Sequence, residues 1–193
     1  ADPITFAVLS GQEMTGVSLM LLVEAMDEGP LLAYGEHYLS PTVTTPELTD
    51  YLIKLSHALL RDTLPKYVAE EGSTKGAPQS ITERQVSYSR KLTKDDSVLD
   101  WQKPAVQLER EVRAFTGWPK SRASFGGLNV VVIKAHIVDA TGHPGNTAII
   151  DKQPVVYCAH QALALDIVKP AGKKEMTGEA FLAGYKRFFL PES

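Results

Sequence analysis

Residues 1–71 alternate between helical spacings and extended apolar runs, a pattern typical of an α/β unit. Ile4, Ala7 and Val8 have the spacing of one face of a helix. Residues 16–23 then form a continuous apolar run, which predicts a strand buried on both faces. After a short loop, residues 31–39 form a second extended stretch. Because the first helix has nothing upstream to pack on, we expect the chain to begin inside a domain.

A long amphipathic helix is predicted next. Thr44 and Glu47 match the capping box that opens many helices. Behind them, apolar residues recur at helical spacing, namely at Leu48, Tyr51, Leu52, Leu55 and Leu59. We expect this helix to reach about Ala69 and to end near Gly72.

A polar linker and a short helix follow. Residues 72–82 are rich in Gly, Ser, Thr and Pro, and the linker is expected to continue through residues 88–96. Pro104 suits the first turn of a helix, and Gly117 can end it. The buried stripe of this helix is predicted at Ala105, Leu108, Val112 and Phe115.

The remainder of the chain predicts a small β domain. Strands are expected at Ala123–Phe125, Leu128–Val138, Thr147–Ile150, Val155–Ala159 and Ala162–Val168. Several short strands in so short a segment favour a barrel, with the OB-fold as first candidate. The Gly-Gly pair at 126–127 marks a hairpin. Thr177 is a candidate N-cap for a terminal helix, with Met176 and Phe181 placed as a hydrophobic staple.

Charge separates the two parts of the chain. Residues 1–87 hold 5 basic and 12 acidic residues, whereas residues 88–193 hold 15 basic and 11 acidic residues. A basic unit is a candidate for nucleic-acid binding, although an excess of this size is modest. The asymmetry therefore suggests two units with different partners.

Several other site types are not indicated by the sequence. Cys158 is the single cysteine and lies among apolar residues, so we expect a buried thiol in a strand and a reducing compartment, the cytoplasm, with an organelle as the open alternative. The five histidines lack metal-ligand spacing, and no metal site is predicted. No apolar run approaches the ~20 residues that span a bilayer, so no membrane partner is expected.

Three segments share motifs with one enzyme family. They are Thr15–Met20 with Met26–Pro30; then Lys91–Asp96, Leu99–Trp101, Arg113–Phe115 and Trp118–Pro119; and finally Pro170–Met176, which leads into Phe181. In this order and at this spacing they resemble the methionyl-tRNA formyltransferase family over essentially the whole chain. The Pro170–Met176 motif favours that family over other folate-dependent formyltransferases.

The resemblance implies transfer of a formyl group from 10-formyltetrahydrofolate to the amino group of methionyl-initiator-tRNA in translation initiation. Asp27 would be the catalytic carboxylate, although residue chemistry alone favours an exposed loop acid. The folate-binding residues would be Leu22, Val23, Glu24, Ala25, Met26 and Asp27. The family's Asn-x-His motif and Ser-Leu-Leu-Pro loop are absent from this sequence. We therefore expect a truncated chain that is inactive alone.

Basic residues in the second half are the candidates for tRNA contact. The resemblance points to Arg90, Lys91, Lys94, Lys173 and Lys174. Others that could add to the same face are Lys120, Arg122, Lys134 and Lys169. Such residues would supply salt-sensitive contacts to phosphates. Trp118 could stack on a base, but packing is the simpler interpretation.

The predicted organisation is α/β followed by all-β. Residues 1–71 would be part of a Rossmann-like formyltransferase domain, residues 72–102 an interdomain linker, and residues 103–193 an OB-like tRNA-binding barrel. A monomer is expected. Two alternatives stay open: an RNA-binding OB-fold module without catalysis, and a formyltransferase acting on an amino sugar nucleotide.

Overall fold

A computed structural model describes residues 2–70, 73–79 and 88–190 of the chain. It divides into two compact units. One falls within Gln12–Ser89, and the other combines Ala1–Gly11 with Arg90–Ser193. This division differs from the predicted domain boundaries, which placed the first helix with residues 12–71 and treated residues 72–102 as a linker.

The Gln12–Ser89 unit is a two-stranded sheet with one long helix. Strands β1 (Met14–Met20) and β2 (Leu31–Tyr38) pair antiparallel. Helix α2 (Thr45–Ala69) packs on both strands, and its residues Leu48 and Leu52 are buried. The second extended stretch and the helix are therefore confirmed, and the first stretch is confirmed up to Met20, with residues 21–23 outside the strand. No parallel, Rossmann-like strand pairing occurs among the described residues of this unit.

The predicted capping box is present at the start of α2. Thr44 N donates to Glu47 Oε2 at 2.9 Å, and Thr44 Oγ1 donates to the same oxygen at 2.8 Å. These hydrogen bonds, the backbone one first, lower the pKa of the Glu47 carboxyl. Local chemistry thus fixes where the helix begins.

The prediction that β1 is buried on both faces is wrong for the chain described here. Gly16 and Ser18 are exposed on one face of the strand. Beyond its end, Leu22 is 92% exposed and Val23 is 49% exposed. The reason is that a single helix covers this two-stranded sheet, and one helix can bury only one face.

The other unit contains an antiparallel sheet of six strands. They are β3 (Ser121–Phe125), β4 (Leu128–Val138), β5 (Thr147–Ile150), β6 (Gln153–Tyr157), β7 (Ala162–Pro170) and β8 (Met176–Thr177). The order is β3-β4-β7-β6-β5, with β8 paired to β7. All five predicted strands exist. Residues 158–159 lie outside β6 because Cys158 N donates to Gln161 O within a turn.

The strand path is open, so the predicted barrel closure is not found among the described strands. β3 and β5 form its two ends. At one end, Leu99 N donates to Arg122 O at 2.9 Å. At the other, Thr147 Oγ1 donates to Phe188 O at 2.6 Å. Each end strand is therefore partly covered by a segment outside the sheet, as exposed edges usually are.

Helices and a terminal turn cover the core of this unit. The predicted stripe of Ala105, Leu108, Val112 and Phe115 is buried, with Phe115 at the cap just beyond the end of α3 (Ala105–Ala114). α4 (Gly178–Tyr185) begins at the predicted cap, where Thr177 Oγ1 accepts from Ala180 N at 3.3 Å. A 3-10 turn, Lys186–Phe189, buries Phe189 against Phe125. The result is one continuous apolar core.

Helix α1 (Pro3–Ser10) belongs to the same unit, because it packs against α3. Ala7 and Val8 are buried there. Leu92 N donates to Asp2 Oδ2 at 3.2 Å, and Leu92 is itself buried. Residues expected to form a linker therefore contribute to the core. Within the described ranges, no helix has the length and apolar character needed to cross a bilayer.

Candidate functional site

The loop that joins β1 to β2 is closed at its base by a backbone hydrogen bond. Leu21 N donates to Pro30 O at 3.0 Å. A Cβ added to Gly29 would lie 1.7 Å from Leu21 O, so the closure requires glycine at this position. The loop therefore has a defined base, and Asp27 lies within it.

Asp27 combines an exposed carboxylate with an unusual backbone conformation. Its φ is 59°, in the left-handed region that Asp tolerates better than most residues. Its backbone oxygen accepts a hydrogen bond from Gln79 Nε2 at 2.8 Å. Asp27 also belongs to the lining of a cleft of about 1040 Å³, together with Met20, Leu31, Tyr34 and Pro78.

The other predicted folate-binding residues lie on the outer part of the loop. Leu22 is 92% exposed and Met26 is 86% exposed. Of the six residues predicted to bind folate, all of which the structure describes, Asp27 alone lines the cleft. Folate contact by the backbone of residues 22–26 stays a prediction.

Gln79 is a site residue that sequence analysis missed. It lies in the segment treated as linker, yet it lines the same cleft as Asp27. Its side-chain nitrogen donates to Asp27 O and to Gly29 O, each at 2.8 Å. No periodicity or motif marks this position, because the contact depends on the pairing of Ala77 with Leu31.

Among the predicted tRNA-binding residues, Arg90 is already paired. Its Nη1 lies 2.9 Å from Asp96 Oδ2, and Nη2 bonds the other carboxylate oxygen. This hydrogen bonding, followed by that of the Thr93 backbone N–H, holds the pKa of Asp96 well below its usual value. The hydrogen bond with Asp96 in turn raises the pKa of the Arg90 guanidinium. The charge of Arg90 is therefore partly neutralised locally.

The four predicted lysines are exposed and lie in two places. Lys91 and Lys94 flank the segment that leads into the 3-10 turn Asp95–Ser97. Lys173 and Lys174 occupy the turn between β7 and β8, where Lys173 N donates to Pro170 O at 3.0 Å. Both pairs are exposed to solvent, and their contact with tRNA stays a prediction.

Strand register brings two further basic residues into one row. Arg122 on β3 is opposite Val131 on β4, and Val131 is opposite Lys169 on β7. Directly opposed side chains lie on the same face of an antiparallel sheet. Arg122 and Lys169 are exposed, whereas the adjacent row of Ser121, Val132 and Val168 is buried in the core. We call Arg122, Val131 and Lys169 the outward row.

Two further titratable side chains, Cys158 and His136, are respectively buried and hydrogen-bonded to another side chain. Cys158 is buried, and this burial raises the pKa of its thiol to about 11. His136 Nδ1 lies 2.7 Å from Asp166 Oδ1 on the sheet. Across residues 2–70, 73–79 and 88–190, no three His, Cys, Asp or Glu side chains converge as a metal site would require.

Sequence comparison places the second unit in a known class. Residues 91–186 match the family described as the formyl transferase C-terminal domain. The chain therefore belongs to the formyltransferase family.

Within that family, it is similar to the methionyl-tRNA formyltransferase of Chloroflexus aurantiacus. The two are 36% identical over 186 residues, which cover 94% of this chain and 59% of the relative. The chain thus spans less than two thirds of the length of this curated relative.

Solved structures share the fold at low identity. HypX from Aquifex aeolicus, in complex with tetrahydrofolic acid, superposes with a TM-score of 0.65 at 17% identity, over 94% of this chain and 32% of HypX. An N-formyltransferase from Helicobacter canadensis, in complex with folinic acid and dTDP-3-aminofucose, gives a TM-score of 0.62 at 12% identity, over 86% of this chain and 60% of that protein.

Proposed function

We propose that this chain serves in folate-dependent formyl transfer, from 10-formyltetrahydrofolate to the amino group of methionyl-initiator-tRNA. The observation that carries this proposal is the 36% identity to a methionyl-tRNA formyltransferase over 94% of the chain. A match of that extent includes both the unit that contains Asp27 and the basic unit.

Asp27 is the proposed carboxylate of the reaction. The attacking amine must lose a proton, and an ionised carboxylate can accept it through a bound water. The exposure of Asp27 and its place in the lining of the cleft suit that role. The developing oxyanion also needs hydrogen-bond donors. The family's Asn-x-His motif is absent from this sequence. We therefore expect the chain alone to bind folate and tRNA without formylating the tRNA.

The cleft beside Asp27 is the proposed place for the folate. HypX and the Helicobacter canadensis enzyme share the fold and carry tetrahydrofolic acid and folinic acid in their structures. In this chain Asp27 would contact the pterin within the cleft, and the backbone of residues 22–26, which does not line the cleft, would contact it from the outer part of the loop. Exposed main chain can offer N–H and C=O groups to a heterocycle with little dependence on the side chains.

The tRNA is proposed to bind the basic unit through phosphate contacts. Lys91, Lys94, Lys173 and Lys174 are exposed there, and the outward row adds Arg122 and Lys169. Affinity from such contacts falls with salt concentration and depends little on base sequence.

The test is binding and turnover with the 193-residue chain. Initiator tRNA is titrated at several salt concentrations, and 5-formyltetrahydrofolate serves as a stable folate probe. Formylation of methionyl-tRNA is assayed in parallel. We expect salt-dependent tRNA binding and folate binding that weakens in Asp27→Asn, without formylation.

Three outcomes would count against the proposal in different ways. Salt-independent or absent tRNA binding would remove the tRNA role. Formylation of methionyl-tRNA by the chain alone would show that the catalytic groups of the Asn-x-His motif are not required. Preferential binding of a dTDP-amino sugar over tRNA would instead favour formyl transfer to a sugar nucleotide. This second candidate is considered because the Helicobacter canadensis enzyme, which shares the fold, was solved with dTDP-3-aminofucose.

A further inference from the structure

Segment 73–79 is attached to the start of β2 in the Gln12–Ser89 unit. Leu31 N donates to Ala77 O at 2.7 Å, and Ala77 N donates to Leu31 O at 2.7 Å. This reciprocal pair fixes the segment against the first residue of the strand. Gln79 lies two residues further along, beside the base of the loop that contains Asp27.

The side chain of Gln79 serves two carbonyl groups of that loop. Its Nε2 donates to Asp27 O and to Gly29 O, both at 2.8 Å. The same nitrogen is 3.9 Å from Met20 Sδ. A glutamine amide carries two N–H groups, so one side chain can satisfy both oxygens at once.

The loop has few packing contacts of its own to hold Asp27 in place. Leu22 and Met26 are 92% and 86% exposed, so they contribute little burial. Asp27 has a φ of 59°, a conformation less favourable than the ordinary regions for a residue with a Cβ. Such a conformation persists where the surroundings over-determine it, and Gln79 supplies part of that constraint from outside the loop.

We propose that Gln79 is a positioning residue that holds Asp27 in its place in the cleft. The inference rests on the proposed function of Asp27 as the carboxylate of formyl transfer. Gln79 acts through the backbone of residues 27–29, and its own role requires no contact with the reacting atoms. Removal of its two N–H groups releases the loop while the rest of the unit stays folded.

Hydrogen exchange measured by mass spectrometry tests the positioning directly. Two variants are compared with the parent chain: Gln79→Ala removes the side chain, and Gln79→Glu keeps its length but loses both N–H donors. Gln12→Ala is the matched control, an exposed glutamine of the same unit. The Leu21 amide, whose hydrogen bond to Pro30 O closes the base of the loop, should exchange about tenfold faster in both Gln79 variants, as expected for the loss of two hydrogen bonds. Exchange in β2 and α2 should stay unchanged.

Unchanged exchange of the Leu21 amide in both Gln79 variants would overturn the proposal, and so would unchanged exchange in Gln79→Glu alone. Faster exchange spread equally over β2 and α2 would assign Gln79 a general structural role instead, and would also overturn it. Because Gln79→Glu retains the size of the side chain, it keeps the test open should Gln79→Ala unfold.

Binding of 5-formyltetrahydrofolate separates this inference from the function on which it rests. If both proposals hold, the Gln79 variants bind the probe about tenfold more weakly than Gln12→Ala. If the parent chain does not bind the probe but the Leu21 amide still exchanges faster in both Gln79 variants, the folate proposal fails and the attachment of the loop by Gln79 stands. If binding is strong and unaffected by both substitutions, Gln79 does not position the site.

Discussion

Lys103 Nζ lies 2.8 Å from Glu111 Oε1, and the Glu111 side chain is only 5% exposed. The second carboxylate oxygen, Oε2, is buried without a hydrogen-bond partner among the described residues. A buried carboxylate is costly unless a cation compensates it. Lys103, whose side chain is 42% exposed, provides that charge from the surface.

Removing Lys103 should therefore destabilise the unit that contains the sheet. We expect Lys103→Ala to lower the free energy of unfolding by about 2 kcal/mol, less than for a fully buried pair, since water reaches the lysine. Urea denaturation measures the change. Lys173→Ala, at an exposed turn, should change it by less than about 0.5 kcal/mol. The double variant Lys103→Ala/Glu111→Leu should recover most of the loss, and an equal loss in the double variant would contradict this account.

Because of the Arg90–Asp96 pair, the free energy of unfolding should depend on pH in the acid range. The folded-state pKa of Asp96 lies below the value of about 4 usual for the unfolded chain. The contribution of the Asp96 carboxylate to the free energy of unfolding is therefore present in full above the unfolded-state pKa. It is lost as the pH falls towards the folded-state pKa. Asp96→Asn should unfold at lower urea concentration than the parent at pH 7, and the difference should narrow by pH 3.

Gly126 and Gly127 offer a matched pair in the β3–β4 turn. Both have positive φ, 53° and 84°. A Cβ on Gly126 would lie 2.4 Å from the Phe188 ring, whereas a Cβ on Gly127 would meet nothing within 4 Å. Each Gly→Ala change should cost about 1 kcal/mol of backbone strain, and Gly126→Ala about 1–3 kcal/mol more from overpacking. Thermal unfolding of the two variants checks this, and equal midpoints would show that Phe188 moves aside freely.

If the outward row contacts tRNA, removal of either of its basic side chains should lower the affinity for tRNA. Arg122→Ala and Lys169→Ala should each weaken binding and reduce the slope of log affinity against log salt by about 1, as expected for one lost phosphate contact. Lys54→Ala, at an exposed position on α2 in the other unit, is the control and should leave the slope unchanged. A loss of the same size for Lys54→Ala would indicate nonspecific electrostatic attraction.

Local signals predicted the elements well because their causes are local. Thr44 and Glu47 define the start of α2 through hydrogen bonds within four residues. Thr177 does the same for α4. The apolar stripe from Ala105 to Phe115 follows the helical period and is buried as expected. In each case the sequence near the feature is sufficient to determine it.

Features that depend on distant residues were not predictable in this way. Gln79 reaches Asp27 across 52 positions, and nothing near Gln79 in the sequence indicates the contact. Glu111 is charged but buried, because Lys103 compensates it from outside the helix. The exposure of β1 depends on what covers the second face of the sheet, which an apolar run cannot specify. The proposal that Asp27 is the catalytic carboxylate rests on family resemblance and not on its local chemistry.

The packing of α1 on α3 has a consequence for synthesis on the ribosome. α1 ends at Ser10 and its packing partner begins at Ala105. At roughly 5–20 residues per second, the interval between their syntheses is about 5–20 s. During that time α1 lacks its packing partner α3. We expect nascent chains to show α1 open to proteases until α3 has left the exit tunnel, so this unit completes its folding late in translation.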